Sequence, residues 1–264
     1  MSYKLIALDL DYTLFRTDLT IAESTRRAIT DAQDKGVLVV LATGRMLGGV
    51  KPVYDSLALC SPVICGGGSI IYNNKFNRLE LFSLDPLDAH GIVNLAAAYD
   101  IPVHVYVDGK VLYRAETPIT DEYLSTFHLI GQITPDLCAM TDIKTPKALI
   151  LKDVESIDKI APIAREKFPH LNIVRSKPHY LEFTRKDVTK ATALEYIGKL
   201  YGIDKSEMIA VGDNEIDESM ISYAGLGCAV GNAIESTKSV ADYISADCDH
   251  DGVGEIIHKF ILGD

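Results

Sequence analysis

Four short runs of unbroken apolar residues, each ending in a polar or glycine-rich cluster, constrain this chain more than any other feature. Leu5-Ile6-Ala7-Leu8 runs into Asp9-Leu10-Asp11, and Val37 to Ala42 runs into Thr43-Gly44-Arg45. Pro62-Val63-Ile64-Cys65 meets Gly66-Gly67-Gly68-Ser69, and Met208-Ile209-Ala210-Val211 meets Gly212-Asp213-Asn214. A strand with one wet face alternates apolar and polar residues; a run without alternation reads as a strand buried on both faces. Such strands belong to a parallel sheet with a layer of helices on each side.

The segments between these runs supply the helices. Thr20 with Glu23 three residues on has the spacing of a capping box, and predicts a helix to about Lys35, stopped by Gly36. A second helix fits about Leu47 to Leu59. Asp187-Val188-Thr189-Lys190 opens another, with Ala193, Leu194, Ile197 and Leu200 on one side. A helix at Glu218–Ala224, short strands at Cys228–Val230 and Tyr243–Ser245, and a helix from Gly254 complete the pattern.

The middle of the chain follows a different plan. After a hairpin pattern at Ile70 to Phe82 and a helix at about Pro86 to Tyr99, Val103-His104-Val105-Tyr106-Val107 alternates with period two. Asp108-Gly109 and Val111-Leu112-Tyr113 then make a hairpin signal. A helix near Asp121–Leu129, a strand at Ala148–Leu151, a helix at about Ile157–Phe168 and strands near Ile173 and Tyr180–Phe183 follow. Alternation with hairpins suggests an antiparallel sheet carrying helices on one face. The expected architecture is therefore α/β: a three-layer, Rossmann-like parallel-sheet core from residues 1–82 and 187–264, with an α+β module, 83–186, inserted.

In an open parallel sheet, ligands bind beyond the carboxyl ends of the strands. If the strands ending in Asp9-Leu10-Asp11, Thr43-Gly44-Arg45 and Gly212-Asp213-Asn214 are neighbours, three carboxylates, a hydroxyl and backbone N–H groups meet at one edge. Asp9 and Asp11, two apart in an extended segment, project to one side and share a small volume. Two such carboxylates repel unless a cation or proton lies between them. Lys190, at a helix N-terminus, could complete the set. Each piece has a plainer reading: Thr43 and Gly44 as a helix cap, Lys190 as a solvated surface lysine, Asp213-Asn214 as a turn, Asp217 as a first-turn acid. Gly66-Gly67-Gly68 reads as a tight backbone passage rather than a phosphate cradle, because no Lys-Ser/Thr follows it. His104, Tyr106 and Lys147 are explained equally by strand packing and by contact with a substrate.

Composition narrows the partners. The 264 residues carry a formal net charge of -11, against a phosphate-backbone partner, which calls for a basic footprint. Five scattered cysteines without a Cys-x-x-Cys pair suit reduced thiols rather than a disulfide or zinc framework. No basic-then-apolar leader opens the sequence and no apolar run approaches membrane-spanning length, so a cytoplasmic location with no membrane partner is expected. Oligomeric state is not legible.

The chain resembles the haloacid dehalogenase-like superfamily, in its Cof-type sugar-phosphatase branch with a large α/β cap. The resemblance rests on Asp9-Leu10-Asp11-Tyr12-Thr13-Leu14, Ala42-Thr43-Gly44-Arg45, Val188-Thr189-Lys190-Ala191-Thr192-Ala193-Leu194 and Gly212-Asp213-Asn214-Glu215-Ile216-Asp217-Glu218-Ser219-Met220. Ala229-Val230-Gly231-Asn232-Ala233 and His250-Asp251-Gly252-Val253 add C-terminal signatures. It implies a Mg²⁺-dependent phosphatase of small phosphate monoesters, such as sugar phosphates. Asp9 would be the nucleophile that becomes an aspartyl-phosphate, and Asp11 the acid and base. Mg²⁺ would be held by Asp9, the Asp11 carbonyl and Asp213, with Asp217 as an outer ligand or as the group that orients Lys190. Thr43, the Leu10 and Gly44 N–H groups and Lys190 would hold the phosphoryl oxygens.

Four positions depart from the family pattern, of which Ala191, for the common glycine after the lysine, is minor. Tyr12 stands where glycine is common, and would narrow the entrance or stack on substrate. Gly67 replaces an asparagine, and Ile216 replaces an asparagine that helps hold phosphate; Asn214 is the candidate substitute. Arg45 would meet a second anionic group of the substrate or pair with a nearby acid. Two alternatives remain at this point: a phosphosugar mutase on the same scaffold, and a weakly catalytic phosphate-binding or signalling protein.

Overall fold

The computed structural model describes residues 3–263. Its helices in chain order are α1 (Glu23–Asp34), α2 (Leu47–Ser56), α3 (Pro86–Ala98), α4 (Pro118–Thr126), α5 (Val154–Lys167), α6 (Lys190–Tyr201), α7 (Glu218–Tyr223), α8 (Glu235–Val240) and α9 (Gly252–Ile257). The strands β1 (Leu5–Leu8), β2 (Leu38–Ala42), β3 (Val63–Cys65), β4 (Ile70–Tyr72) and β5 (Arg78–Leu81) come from the first part of the chain. Those of the middle are β6 (Val103–Val107), β7 (Lys110–Tyr113), β8 (Ile130–Ile133), β9 (Ala148–Leu151), β10 (Leu171–Lys177) and β11 (Tyr180–Arg185). The last part adds β12 (Met208–Gly212), β13 (Leu226–Ala229) and β14 (Tyr243–Ile244).

All four apolar runs become strands, and they lie in one eight-stranded sheet of order β14-β13-β12-β1-β2-β3-β4-β5. The pairings from β14 through β3 are parallel, and β4 turns back antiparallel on β3. Register places Leu8 beside Val211 on one side and Leu41 on the other, so the residues that follow these strands emerge at one edge. Every residue of β1, β3 and β12 is buried, as strands covered on both faces require. Helix α1 packs on α9, and α6 on α7. This is a mixed α/β fold with a Rossmann-like core built from both ends of the sequence.

Contacts divide the chain into two compact units: one runs up to Met46, over Val50–Glu80 and from Val188 onward, the other comprises Leu47–Gly49 and Leu81–Asp187. The second unit contains a six-stranded sheet of order β10-β11-β9-β6-β7-β8. The alternation in β6 explains its two faces. Val103 and Val105 join Ile92, Ile150, Ile160 and Phe183 in an apolar core with α3 and α5. His104 and Tyr106 take the opposite side, where His104 Nε2 meets Thr120 Oγ1 at 3.0 Å and the Tyr106 hydroxyl meets that of Tyr123 at 2.5 Å. Both partners lie on α4, so packing accounts for these two residues. Lys147 is also buried, 2.9 Å from Glu182.

Several expectations need correction. Helix α1 starts at Glu23 with Ala22 as an uncapped N-cap, because the Thr20 hydroxyl and N–H both donate to the Asp18 carboxylate, at 2.6 and 2.9 Å. Leu200 is exposed rather than on the buried side of α6. The helix expected from Asp121 starts at Pro118, with the Thr117 side chain as cap. Helix α8 and strand β8 were not expected; β8 is an edge strand with four exposed residues, so burial leaves no periodicity there. Among the described residues no helix is long and apolar enough to cross a membrane.

Candidate active site

The carboxyl ends of β1 and β12 set the site. Asp9 follows β1 with an extended backbone, its N–H donating to the Val211 carbonyl at 3.0 Å, so the sheet pairing continues through it. Asp213 directly follows β12, and Thr43 follows β2 with its N–H on the Ile64 carbonyl. Lys190 is the first residue of α6, held there by Thr189: its hydroxyl caps the helix, and Thr192 reciprocates toward the Thr189 N–H.

Lys190 is fully buried, and its Nζ donates to Asp9 Oδ1 at 2.6 Å and to Asp217 Oδ1 at 2.5 Å. The surface reading of this lysine is thereby overturned: an ammonium without water is tolerable only against opposite charge. Burial pulls its pKa down, but the two carboxylates outweigh that and hold it above the ordinary value. Asp217 uses its other oxygen on the backbone, accepting from the N–H groups of Asp213 (3.0 Å) and Asn214 (3.1 Å). Both Asp217 oxygens are therefore engaged, in positioning Lys190 and the loop after β12. Glycine at 212 makes this possible, since a Cβ there would overlap the Asp217 side chain.

Asp9, Asp213 and Asp217 each present an oxygen within 4.8 Å of the others, and all three are buried. Burial pushes Asp9 up to about 7 against the pull of Lys190, with Asp217 and Asp213 adding to the rise. Burial also pushes Asp213 up to about 6, opposed by a hydrogen bond from Thr13 and reinforced by Asp217 and Asp11. That bond, Thr13 Oγ1 to Asp213 Oδ1 at 2.9 Å, joins residues 200 apart in sequence. Sequence reasoning passed over Thr13 because no local spacing signals such a partner.

Asp11 does not join this cluster. Its oxygens accept from Arg45, Oδ2 from Nε at 2.8 Å and Oδ1 from Nη2. The strand ends at Leu8, and the chain then coils, with Tyr12 at φ 60. A left-handed backbone costs an L-residue roughly 1–2 kcal/mol and glycine little. Position 12 is thus one where glycine would be easier. Asn232 supports the strained turn by donating from Nδ2 to the Tyr12 carbonyl at 2.7 Å, while its Oδ1 accepts from the Cys248 N–H at 2.8 Å. The Tyr12 ring is exposed. Arg45 also lies 5.2 Å from the Phe15 ring centroid.

Thr43 is buried, and its Oγ1 accepts from the Arg45 N–H at 3.1 Å. It caps no helix: α2 begins at Leu47 after Met46. The Gly66-Gly67-Gly68 turn packs on this loop, with the Gly66 N–H on Arg45 O and the Gly67 N–H on Thr43 O, both at 2.9 Å. A Cβ on Gly68 would fall on the Thr189 carbonyl, so the glycines serve close backbone passage. Asn214 Oδ1 accepts from the Glu215 N–H at 2.8 Å, and Ile216 is half-exposed.

The chain that carries this buried lysine, three converging carboxylates and threonine is similar to known proteins over nearly its whole length. The model of the haloacid dehalogenase-like hydrolases matches residues 6–257. The chain belongs to this family. The 5-amino-6-(5-phospho-D-ribitylamino)uracil phosphatase YcsE of Bacillus subtilis is 32% identical, over 98% of this chain and 96% of its own. A haloacid dehalogenase-like hydrolase from Bacteroides thetaiotaomicron superposes with TM-score 0.87 at 27% identity, covering 98% of this chain and 99% of its own. The subclass IIB sugar phosphatase BT4131 shares the fold, with TM-score 0.80 at 21% identity over 97% and 98% of the two chains. The protein is a haloacid dehalogenase-type phosphoric monoester hydrolase.

Proposed function

We propose that the protein is a Mg²⁺-dependent phosphatase that hydrolyses small phosphate monoesters, sugar phosphates or similar metabolites, through an aspartyl-phosphate at Asp9. The observation that carries this reading is the placement of Lys190 Nζ between Asp9 and Asp217, with Asp213 in the same buried cluster. The name of the relative YcsE supports a phosphorylated metabolite as the kind of substrate.

The donor set fits a magnesium ion. It is all oxygen, it is compact, and burial raises two of its carboxyls, so a cation beside them would favour their charged form. Asp9, Asp213 and the Asp11 carbonyl would hold the ion, with Asp217 outside the ligand shell. A bound Mg²⁺ would screen the repulsion between an anionic nucleophile and an anionic phosphate.

This chain's own residues supply the remainder. Lys190 holds one Asp9 oxygen, which fixes the carboxylate and leaves the other to attack phosphorus. Thr43, the Leu10 and Gly44 N–H groups and Lys190 hold the phosphoryl oxygens, where charge must be stabilised during transfer. Asp11 protonates the leaving oxygen and then takes a proton from the water that hydrolyses the intermediate. Arg45 is bonded to Asp11 in two places, and Asp11 must leave that pair before it can carry a proton to the leaving oxygen.

A panel of phosphate monoesters assayed for inorganic phosphate tests the reading. Wild type should release phosphate only with Mg²⁺, and Asp9→Asn should lose turnover. Equal release by wild type and Asp9→Asn would refute it, and phosphoryl retained on the organic product would favour a mutase.

A further inference from the structure

Two unusual positions of the site touch each other. Ile216 follows Asp213 by three residues and, although apolar, is half-exposed. A Cβ built on Gly67 would lie 3.1 Å from Ile216 Cδ1, and one on Gly44 would lie 4.0 Å from the same atom. The Ile216 side chain therefore lies over the two glycine loops that follow β2 and β3. Those loops are bonded to each other through the Gly66 and Gly67 N–H groups. Gly67 has φ 68, which disfavours most side chains but is accessible to asparagine.

Resting on the phosphatase reading above, we propose that Ile216 and Gly67 act as a pair that determines specificity. Gly67 leaves the space that Ile216 fills, and Ile216 gives the mouth of the phosphate site an apolar wall. Phosphate held by the Gly44 N–H brings the first carbons of its ester close to this wall. An apolar or planar carbon surface gains by covering it. A sugar hydroxyl facing it loses water and finds no donor or acceptor. The preferred substrates are accordingly phosphate monoesters with an apolar or planar group next to the ester, over fully hydroxylated sugar phosphates.

The test is the ratio of kcat/KM for phenyl phosphate to that for glucose 6-phosphate, measured with Mg²⁺. Intrinsic leaving-group reactivity cancels when variants are compared with wild type. A single apolar contact discriminates by about 10–200-fold, so Ile216→Asn should lower the ratio by about tenfold. Ile216→Ala should lower it without adding a polar group, and Ile216→Val should lower it less than Ile216→Ala, since most of the wall persists. Gly67→Asn should displace Ile216 and lower the ratio alone, and adding Ile216→Asn to it should lower the ratio little further. An unchanged ratio in Ile216→Asn and Ile216→Ala, with Asp9→Asn inactive, overturns this proposal alone. Fully additive effects of the two substitutions overturn the pairing. Equal turnover by Asp9→Asn overturns the phosphatase reading and this proposal with it.

Discussion

Replacing Lys190 by methionine removes the only positive charge that contacts Asp9 among the hydrogen bonds described, at nearly constant side-chain volume. Its Nζ lies 2.6 Å from one buried carboxylate and 2.5 Å from another. Removing one partner of a buried ion pair costs about 3–5 kcal/mol, because the other charge is left without water or counterion. For a chain of this size, each kcal/mol is worth about 2–4 °C of melting temperature, so a fall of about 10 °C is expected at pH 8 in EDTA. The sign of the pH dependence follows from Asp9. Its folded pKa, about 7, already exceeds the unfolded value, and losing Lys190 raises it further. A group raised in this way adds stability at low pH and loses it as pH rises through the folded pKa. The deficit of Lys190→Met should therefore shrink between pH 8 and pH 5.5. Lys190, raised above its ordinary value, stays protonated across that window and contributes no slope. Thermal melts of both proteins at the two pH values are the assay. A variant as stable as wild type at pH 8, or a deficit equal at both pH values, would refute the reasoning.

Three further outcomes are expected. Mg²⁺ affinity, measured by calorimetry, should tighten as pH rises from about 5.5 to 8, since Asp213 (about 6) and Asp9 (about 7) must lose protons to serve as ligands; a flat profile contradicts this. Thr13→Val removes the hydrogen bond to Asp213 and should raise that carboxyl's pKa, weakening Mg²⁺ binding at pH 6 more than at pH 8. In the second unit, burial pulls His104 down to about 3, so the unfolded chain protonates first as pH falls below about 6.5 and stability is lost at about 1.4 kcal/mol per unit. His104→Gln should flatten that acid limb in chemical denaturation, and an unchanged slope would show that His104 is not its source.

The sheet was legible because burial on both faces leaves a plain mark: Leu5 to Leu8 and Met208 to Val211 have no polar residue to alternate with. The exposed edge strand Ile130–Ile133 carries no such mark, and its glycine hides it further. Near Thr20 the spacing matched a capping box, yet Asp18, two residues upstream, accepts both the Thr20 N–H that Glu23 would have taken and the Thr20 hydroxyl. The convergence of Asp9 and Asp213 could be argued from strand ends, and Lys190 could be added from a helix N-terminus. What could not be argued was which charge meets which. Asp11 turns to Arg45 because the chain leaves the strand after Leu8, and Asp217 folds back on the Asp213 N–H because Gly212 leaves room. Both depend on backbone turns that a motif does not encode. The same holds for Thr13 and Asn232, whose partners lie far away in sequence.

The central claim is that Asp9 carries the phosphoryl group and Asp11 drives its release, and Asp11→Asn separates the two steps. With p-nitrophenyl phosphate the leaving group needs little protonation, so the variant should still phosphorylate Asp9 but hydrolyse the intermediate slowly. Rapid mixing with Mg²⁺ should give a burst of nitrophenolate equal to the enzyme concentration, and acid-quenched peptides should carry phosphate on Asp9. Absence of both burst and phosphorylated Asp9, in a variant whose wild-type parent turns over, would contradict the account.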